Sequence, residues 1–152
     1  MSTILVTGAA GFIAHKVCLD LLKDGHTVYG IDNINDAYDI RLKKWHIAQL
    51  MPFKRFTFSK FDICNKKALG EVAVPGKIDA VINLAARAGI RASLDNPWEF
   101  INTNVMGTLN LLDYCREKKI PKFILASSSS VYGCNPPLPT PETADSTHPM
   151  QP

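Results

Sequence analysis

A doubly wound α/β domain built on a parallel sheet is the fold class this sequence predicts, and three observations carry the prediction. Short apolar runs alternate along the 152 residues with longer amphipathic stretches. The runs Ile4-Leu5-Val6, Ala80-Val81-Ile82 and Phe123-Ile124-Leu125 are continuously apolar, as strands covered on both faces must be. Two glycines, Gly8 and Gly11, stand between the first run and the first amphipathic stretch, where a strand would turn into a helix.

Strands are expected at Thr3–Thr7, Thr27–Ile31, Arg55–Lys60, Ala80–Leu84 and Lys122–Ala126. Helices are expected at Phe12–Lys23, Asp39–Leu50, Lys66–Glu71 and Trp98–Lys118. In the last, Phe100, Val105, Leu109, Leu112 and Cys115 recur at helical spacing. Right-handed crossovers between such strands give a strand order of 3-2-1-4-5. A ligand crevice is then expected where the order reverses, between the first and fourth strands. From Asn135 onward the character changes: six of the ten prolines fall in the last 18 residues. Proline removes a backbone donor and fixes φ, so this tail reads as a loop. The domain proper is expected to occupy 1–134, with 135–152 a Pro-rich connection.

Composition excludes several classes. A formal net charge of +3, with Lys and Arg scattered along the chain, does not make the basic patch a nucleic acid or a membrane surface requires. The apolar run at the N-terminus ends at Thr7-Gly8, far short of the roughly 20 residues that span a bilayer. Cys18, Cys64, Cys115 and Cys134 form no C-x-x-C pair, so no metal site is expected. They read as reduced thiols of a cytoplasmic protein.

The segment Thr7-Gly8-Ala9-Ala10-Gly11-Phe12-Ile13-Ala14 has the form of a dinucleotide fingerprint. Gly8 permits the tight turn, and Gly11 lets backbone approach a pyrophosphate. The helix that opens at Phe12 offers free N–H groups and a partial positive charge. Ala14 stands at the third glycine position, which serves helix–strand packing. Asp32 ends the second strand, where a carboxylate binds adenosine ribose hydroxyls. It would repel a 2′-phosphate, and Asn33 supplies no replacement cation, so NAD is expected over NADP. Asp62, after the third strand, is placed to bond an adenine amino group. Leu84, Ala85 and Ala86 follow the fourth strand at the reversal point, with small side chains that leave backbone open to a cofactor.

These residues resemble the extended short-chain dehydrogenases, the NAD-dependent epimerase/dehydratase group with a Rossmann-type domain. The similar stretches are Thr7–Ile13, Gly30–Asn33, Asn83–Arg91, Asn104–Thr108 and Ala126–Gly133. Asp32–Asp39, Ala85–Arg91 and the run S-S-S-S-V-Y-G at Ser127–Gly133 are most similar to UDP-glucuronate 4-epimerases. The resemblance implies an NAD-dependent 4-epimerase acting through a 4-keto sugar. It places cofactor contacts at Gly8, Ala10, Gly11, Phe12 and Ile13 around the turn. Further contacts are implied at Asp32, Asn33 and Asn35, at Asp62 and Ile63, and at Leu84, Ala85, Ala86 and Asn104. Asn104 would also steady the active-site loop. Ser128 takes the place of the active-site Ser, hydrogen-bonding the sugar oxygen that is oxidised. Ser129 and Ser130 would lie against the substrate, and Arg87 would face its charged parts. The long helix packs against its counterpart in relatives, which implies a homodimer.

One element of that pattern is absent. Relatives use a Tyr-x-x-x-Lys pair, the Tyr taking the proton from the C4 hydroxyl as hydride leaves. Tyr29, Tyr38 and Tyr132 have no Lys four residues on, and Tyr114–Lys118 falls inside a helix. The expectation is therefore an NAD-binding part that ends before the catalytic pair, the last strands and a substrate lobe, and that is inactive alone. The same residues also fit a non-catalytic nucleotide-binding module, or another sugar-nucleotide epimerase or dehydratase. In dehydratases acidic residues usually stand where Ser128–Ser130 stand.

Overall fold

The computed structural model describes residues 1–72, 74 and 76–149. The elements run β1 (Thr3–Thr7), α1 (Phe12–Lys23), β2 (Thr27–Asp32), α2 (Ile40–Leu50), β3 (Phe56–Lys60), α3 (Lys66–Gly70) and β4 (Ala80–Asn83). They continue with α4 (Ile90–Asp95), α5 (Pro97–Phe100), a π-helical segment (Ile101–Gly107), α6 (Thr108–Glu117), β5 (Phe123–Leu125) and a 3₁₀ turn (Ser129–Tyr132). The strands form one sheet in the order β3-β2-β1-β4-β5, and every pairing is parallel. This is the doubly wound Rossmann-type arrangement.

Period two along β1 divides the core. Ile4 and Val6 point to one face, where they join Ala14, Cys18 and Leu22 of α1 and Leu50 of α2. Leu5 points to the other, with Leu69 of α3 and Leu111, Tyr114 and Cys115 of α6. Both faces are thus covered, which is why the strand reads as an unbroken apolar run. Local signals set the helix starts. Asp39 caps α2 by accepting from Arg41 N at 2.9 Å, and Asn65 caps α3 by accepting from Ala68 N at 3.0 Å. The expected start of the second helix at Asp39 therefore moves to Ile40, with Asp39 outside it.

The expected helix Trp98–Lys118 is corrected in two ways. It is interrupted by the π-helical segment, and a separate short helix, α4, precedes it after Gly89. Of the expected apolar stripe, Cys115 meets the core and most of the rest does not. Val105, Leu109 and Leu112 are exposed, whereas Gly107, Leu111, Tyr114 and Cys115 are buried. Two apolar faces run along this rod, and periodicity alone cannot say which one meets the sheet. The i→i+5 bonding of a π segment also shifts the phase between its ends. β5 is a sheet edge, as the order 3-2-1-4-5 requires, and its apolar run, read as covered on both faces, has Ile124 and Leu125 about half exposed. The Pro-rich tail has no regular helix or strand over residues 135–149; Met150, Gln151 and Pro152 lie outside the described residues.

α1 packs on α2 through aromatic rings. His15 and His46 stack at 4.5 Å between centroids, with Trp45 5.5 Å from His46. Burial, then the neighbouring His46 ring, hold the His15 imidazole below its ordinary pKa, partly offset by the Gln49 amide. Its Nε2 is buried with no hydrogen-bond partner among the described residues.

Two outcomes are expected. A Cβ at Gly30 in β2 would stand 2.8 Å from Ala9 Cβ and 2.9 Å from the Phe56 ring. Gly30→Ala should therefore cost about 1–3 kcal/mol by overpacking, read as a lower urea midpoint; an unchanged midpoint would contradict this packing. The second concerns pH. The unfolded chain's imidazoles titrate near about 6.5, above folded His15, so the unfolded state binds more protons in the interval between. Stability should fall as pH drops from about 6.5 toward the folded value. His15→Gln should make that acid-side loss of Tm shallower, and an identical slope in the variant would reject the assignment.

Candidate functional site

The site begins where β1 and β4 part. Thr7 Oγ1 donates to Asn83 Oδ1 at 2.6 Å and accepts from Ala85 N at 3.3 Å. Asn83 Nδ2 donates to Thr108 Oγ1 at 3.1 Å. These bonds, with Thr7 and Asn83 fully buried, pin β1, β4 and α6 together at the point where the strand order reverses.

The turn after β1 is built on glycine. Gly8 has φ +71°, and a Cβ there would meet Leu84 O at 2.8 Å. Both its conformation and the close backbone approach exclude a side chain. Gly11 N donates to Gly8 O at 2.7 Å, and Gly11 is the N-cap of α1 without a side-chain cap bond, so no capping side chain occupies the first N–H groups of the helix. Ala9 N donates to Ile31 O at 3.0 Å and Ala10 N to Asp32 Oδ2 at 3.1 Å. Ala10 O accepts from Tyr38 OH at 3.2 Å, and His46 Nδ1 lies 2.7 Å from it. A carbonyl only accepts, so that His46 nitrogen carries the hydrogen.

Asp32 then joins this turn to the next loop: its Oδ1 accepts from Ile34 N at 2.7 Å. Asn33 Nδ2 donates to Asp62 Oδ2 at 2.7 Å, and Cys64 N donates to Asp62 Oδ1 at 2.8 Å. Burial opposes ionisation of Asp62, yet the bonds from Cys64 and Asn33 and the Arg87 charge hold its carboxyl below the usual range. The Asp62 site is thus anionic, an acceptor only. Lys43 enters from α2 and donates to Asn35 Oδ1 at 2.6 Å. Burial pushes its ammonium pKa down against the pull of Asp32 and Asp36. Burial, then the Asp32 charge, push the Tyr38 phenol up.

Together these groups line an open cleft of about 110 Å³. Ten of the sequence-expected residues border it: Gly8, Gly11, Asp32, Asn33, Asn35, Asp62, Ile63, Leu84, Ala85 and Ala86. Ala10 is buried beneath the turn, while Phe12 and Ile13 open α1 with exposed side chains. Asn104, in the π-helical segment, brackets one residue: it accepts from Arg87 N at 2.8 Å and donates to Arg87 O at 3.0 Å. The Arg87 guanidinium pairs with Glu99. Ser128, Ser129 and Ser130 follow β5 outside the lining of this cleft; Ser128 Oγ accepts from Ser130 N at 3.2 Å and caps the 3₁₀ turn.

Sequence reasoning missed Tyr38, Lys43 and Thr103, which also line the cleft, and His46 behind it. Tyr38 sits within the motif-bearing stretch and could have been found there. Lys43 carried no signal, since a Lys on an amphipathic helix ordinarily faces water. The Tyr114–Lys118 pair is placed away from the cleft. Tyr114 is packed in the second core cluster, burial raises its pKa, and Lys118 Nζ lies 5.9 Å over its ring. Among the described residues no helix is long and apolar enough to cross a membrane, and no group of three His, Cys, Asp or Glu is arranged to hold a metal.

Comparison with known proteins bears on this cleft. Residues 4–152 match the NAD dependent epimerase/dehydratase family. The chain is 49% identical over 139 residues to UDP-glucuronate 4-epimerase of Thermodesulfobacterium geofontis, covering 91% of this chain and 43% of that protein. It is 35% identical to a probable UDP-glucuronate 4-epimerase of Rhizobium meliloti, covering 96% of this chain and 43% of that protein. Among solved structures, UDP-glucuronic acid 4-epimerase from Bacillus cereus in complex with UDP-glucuronic acid and NAD superposes with a TM-score of 0.76 at 39% identity, over 89% of this chain and 43% of that one. The chain thus spans less than half the length of these relatives. With the family match running through the whole sheet and the glycine turn, the chain belongs to the NAD dependent epimerase/dehydratase family.

Proposed function

We propose that this chain is the NAD-binding domain of a UDP-sugar 4-epimerase of the UDP-glucuronate/UDP-galacturonate type. The observation that carries the reading is the glycine turn. Gly8 lies against Leu84 with no room for a Cβ, and the uncapped start of α1 stands beside it. Such a turn leaves backbone N–H groups for a pyrophosphate. Asp32 holds one N–H on each oxygen, and a carboxylate oxygen has capacity for a further hydroxyl. The residues present therefore fit a dinucleotide. Phe12 and Ile13 offer the phosphates backbone N–H groups at the start of α1, and Gly8, Ala10 and Gly11 shape the turn that the phosphates lie against. Asp32, Asn33 and Asn35 take the ribose, Asp62 and Ile63 the adenine. Leu84, Ala85 and Ala86 leave backbone open toward the reacting end, with Asn104 fixing the loop at Arg87.

When bound, NAD supplies reversible hydride acceptance at the sugar C4. The chain's own contribution to the sugar is the Ser128 hydroxyl, hydrogen-bonded to the C4 oxygen and holding it in line for proton loss. Ser129 and Ser130 lie against the sugar, and Arg87, released from Glu99, faces the acidic substrate. The domain reading, 1–134 with a Pro-rich connection after it, and a cytoplasmic setting belong to the same proposal; the four thiols are unpaired. The exposed stripe Ile101, Val105, Leu109 and Leu112 is the face we assign to a homodimer.

Isothermal titration with NAD tests the central claim. Wild type should bind, and Gly8→Val should lose binding by on the order of a hundredfold or more, since it adds strain and a backbone clash to the pyrophosphate site. Wild type without NAD affinity would sink the reading. A protein of these 152 residues alone is expected to leave UDP-glucuronate unconverted by chromatographic assay, because no Tyr-x-x-x-Lys stands at the cleft. Detectable UDP-galacturonate would contradict that. For the dimer, Leu109→Asp should convert a dimeric wild type to monomer in light scattering; a monomeric wild type at high concentration would remove the claim.

A further inference from the structure

The glycine turn is held from behind by an imidazole that the cleft itself does not include. Ala10 is fully buried, so both polar groups of its peptide must find protein partners. Ala10 N donates to Asp32 Oδ2 at 3.1 Å, and Tyr38 OH donates to Ala10 O at 3.2 Å. His46 Nδ1 donates to the same oxygen at 2.7 Å. That last bond is the shortest of the three and ties α2 to the turn from which α1 starts. Because a carbonyl only accepts, Nδ1 carries its hydrogen in the neutral ring and in the cation alike, and a second proton goes to Nε2.

The stack with His15 decides which ring can charge. The two centroids are 4.5 Å apart and both rings are buried, so like charges on both would repel strongly and the pair admits one. His15 Nε2 is buried with no partner among the described residues, so a cationic His15 would bury an unpaired N–H. His46 Nε2 is no such atom. His46 is therefore the ring that takes the proton while His15 stays neutral, in keeping with the depression of His15 by the His46 charge. The other ionisable groups nearby are few. On α1, one turn from His15, the Cys18 thiol is pushed up to about 12 by burial and stays neutral, and Lys16 is exposed and paired with Asp20. The loop before α2 brings Tyr38, a neutral phenol held up by burial and the Asp32 charge. β2 brings the Asp32 carboxylate at Ala10 N, and α2 carries Lys43 one turn before His46.

Resting on the NAD reading above, we propose that His46 is a positioning residue of the phosphate turn, and that NAD binding draws a proton from water onto its Nε2. A dinucleotide brings the negative charge of its diphosphate to this turn, and added negative charge favours the cationic imidazole. By reciprocity the cation favours the dinucleotide to the same degree. Protonation keeps the bond to Ala10 O and makes it charge-assisted. His46 thus binds more protons with NAD than without it, so affinity rises as pH falls through the imidazole range. The two rings divide the pH response: His15 governs acid-side stability, and His46 governs affinity.

The test is titration calorimetry with NAD in buffers of different ionisation heat, which counts the protons exchanged on binding. Between about pH 6 and 8, where an imidazole changes charge, wild type should take up a fraction of a proton per NAD. Its Kd should fall several-fold from the upper to the lower limit, and by no more than about tenfold per pH step of one, the limit for a single proton. His46→Asn keeps an N–H donor in the place of Nδ1 and cannot charge, so its proton uptake should vanish and its Kd should not vary with pH. His46→Leu removes the donor too, and its Kd should rise on the order of tenfold at every pH. His15→Gln leaves the titrating ring in place and should keep the uptake. A purely structural His46 would lower the Tm of both His46 variants and leave proton uptake in place, which would overturn the proposal. Wild-type NAD affinity in His46→Leu would overturn it as well. So would NAD binding by wild type without proton uptake, a result that needs no variant to fold and leaves the NAD reading standing. Failure of wild type to bind NAD would overturn both together.

Discussion

Asp32 ends β2 with each carboxylate oxygen committed to a main-chain N–H, Ala10 on one side and Ile34 on the other. The first belongs to the turn after β1 and the second to the loop after β2. One buried carboxylate therefore sets the distance between the two walls of the cleft. A charge that is buried and bonded in this way is costly to disturb. The bonds around it build outward from the same point: Asn33 to Asp62, Asn35 to Lys43, Tyr38 to Ala10. The cleft is a chain of short polar links that starts at the end of one strand.

The sheet supplies the rigidity those links need. Thr7, Asn83 and Thr108 fasten β1, β4 and α6 where the winding changes direction. Leu84 and Ala85 are thereby held against Gly8, so backbone rather than side chain forms that wall. The π-helical segment continues the same logic on the far side. It carries Thr103 at the cleft and Asn104 clamped on Arg87, which ties the loop after β4 to the helix. A π segment lets successive residues face directions an α-helix would not permit.

The family relationship gives this geometry its chemical meaning. Under the function proposed, backbone groups and the Asp32 carboxylate would address the nucleotide, and the hydroxyls after β5 the sugar. The Tyr114–Lys118 spacing shows how a motif can occur without its context. Its phenol is buried in a core, with a pKa raised rather than lowered, the opposite of what a proton acceptor requires.

Much of the architecture was legible in the amino-acid order because the signals are local. Unbroken apolar runs marked buried parallel strands, and the Gly8–Gly11 turn with Asp32 marked the cleft. Those residues act through their own backbone conformation or their place at a strand end, so spacing alone locates them. What tertiary structure decided was everything that depends on which faces meet. Periodicity could not choose between the two apolar faces of the rod from Pro97 to Glu117, and a π segment that changes the phase leaves no mark in composition. Nor could it bring Lys43 under Tyr38 or stack His15 on His46, since those contacts join residues of separate elements. Local conformation is written residue by residue; the side chain an element turns inward is set by the neighbours that fold against it.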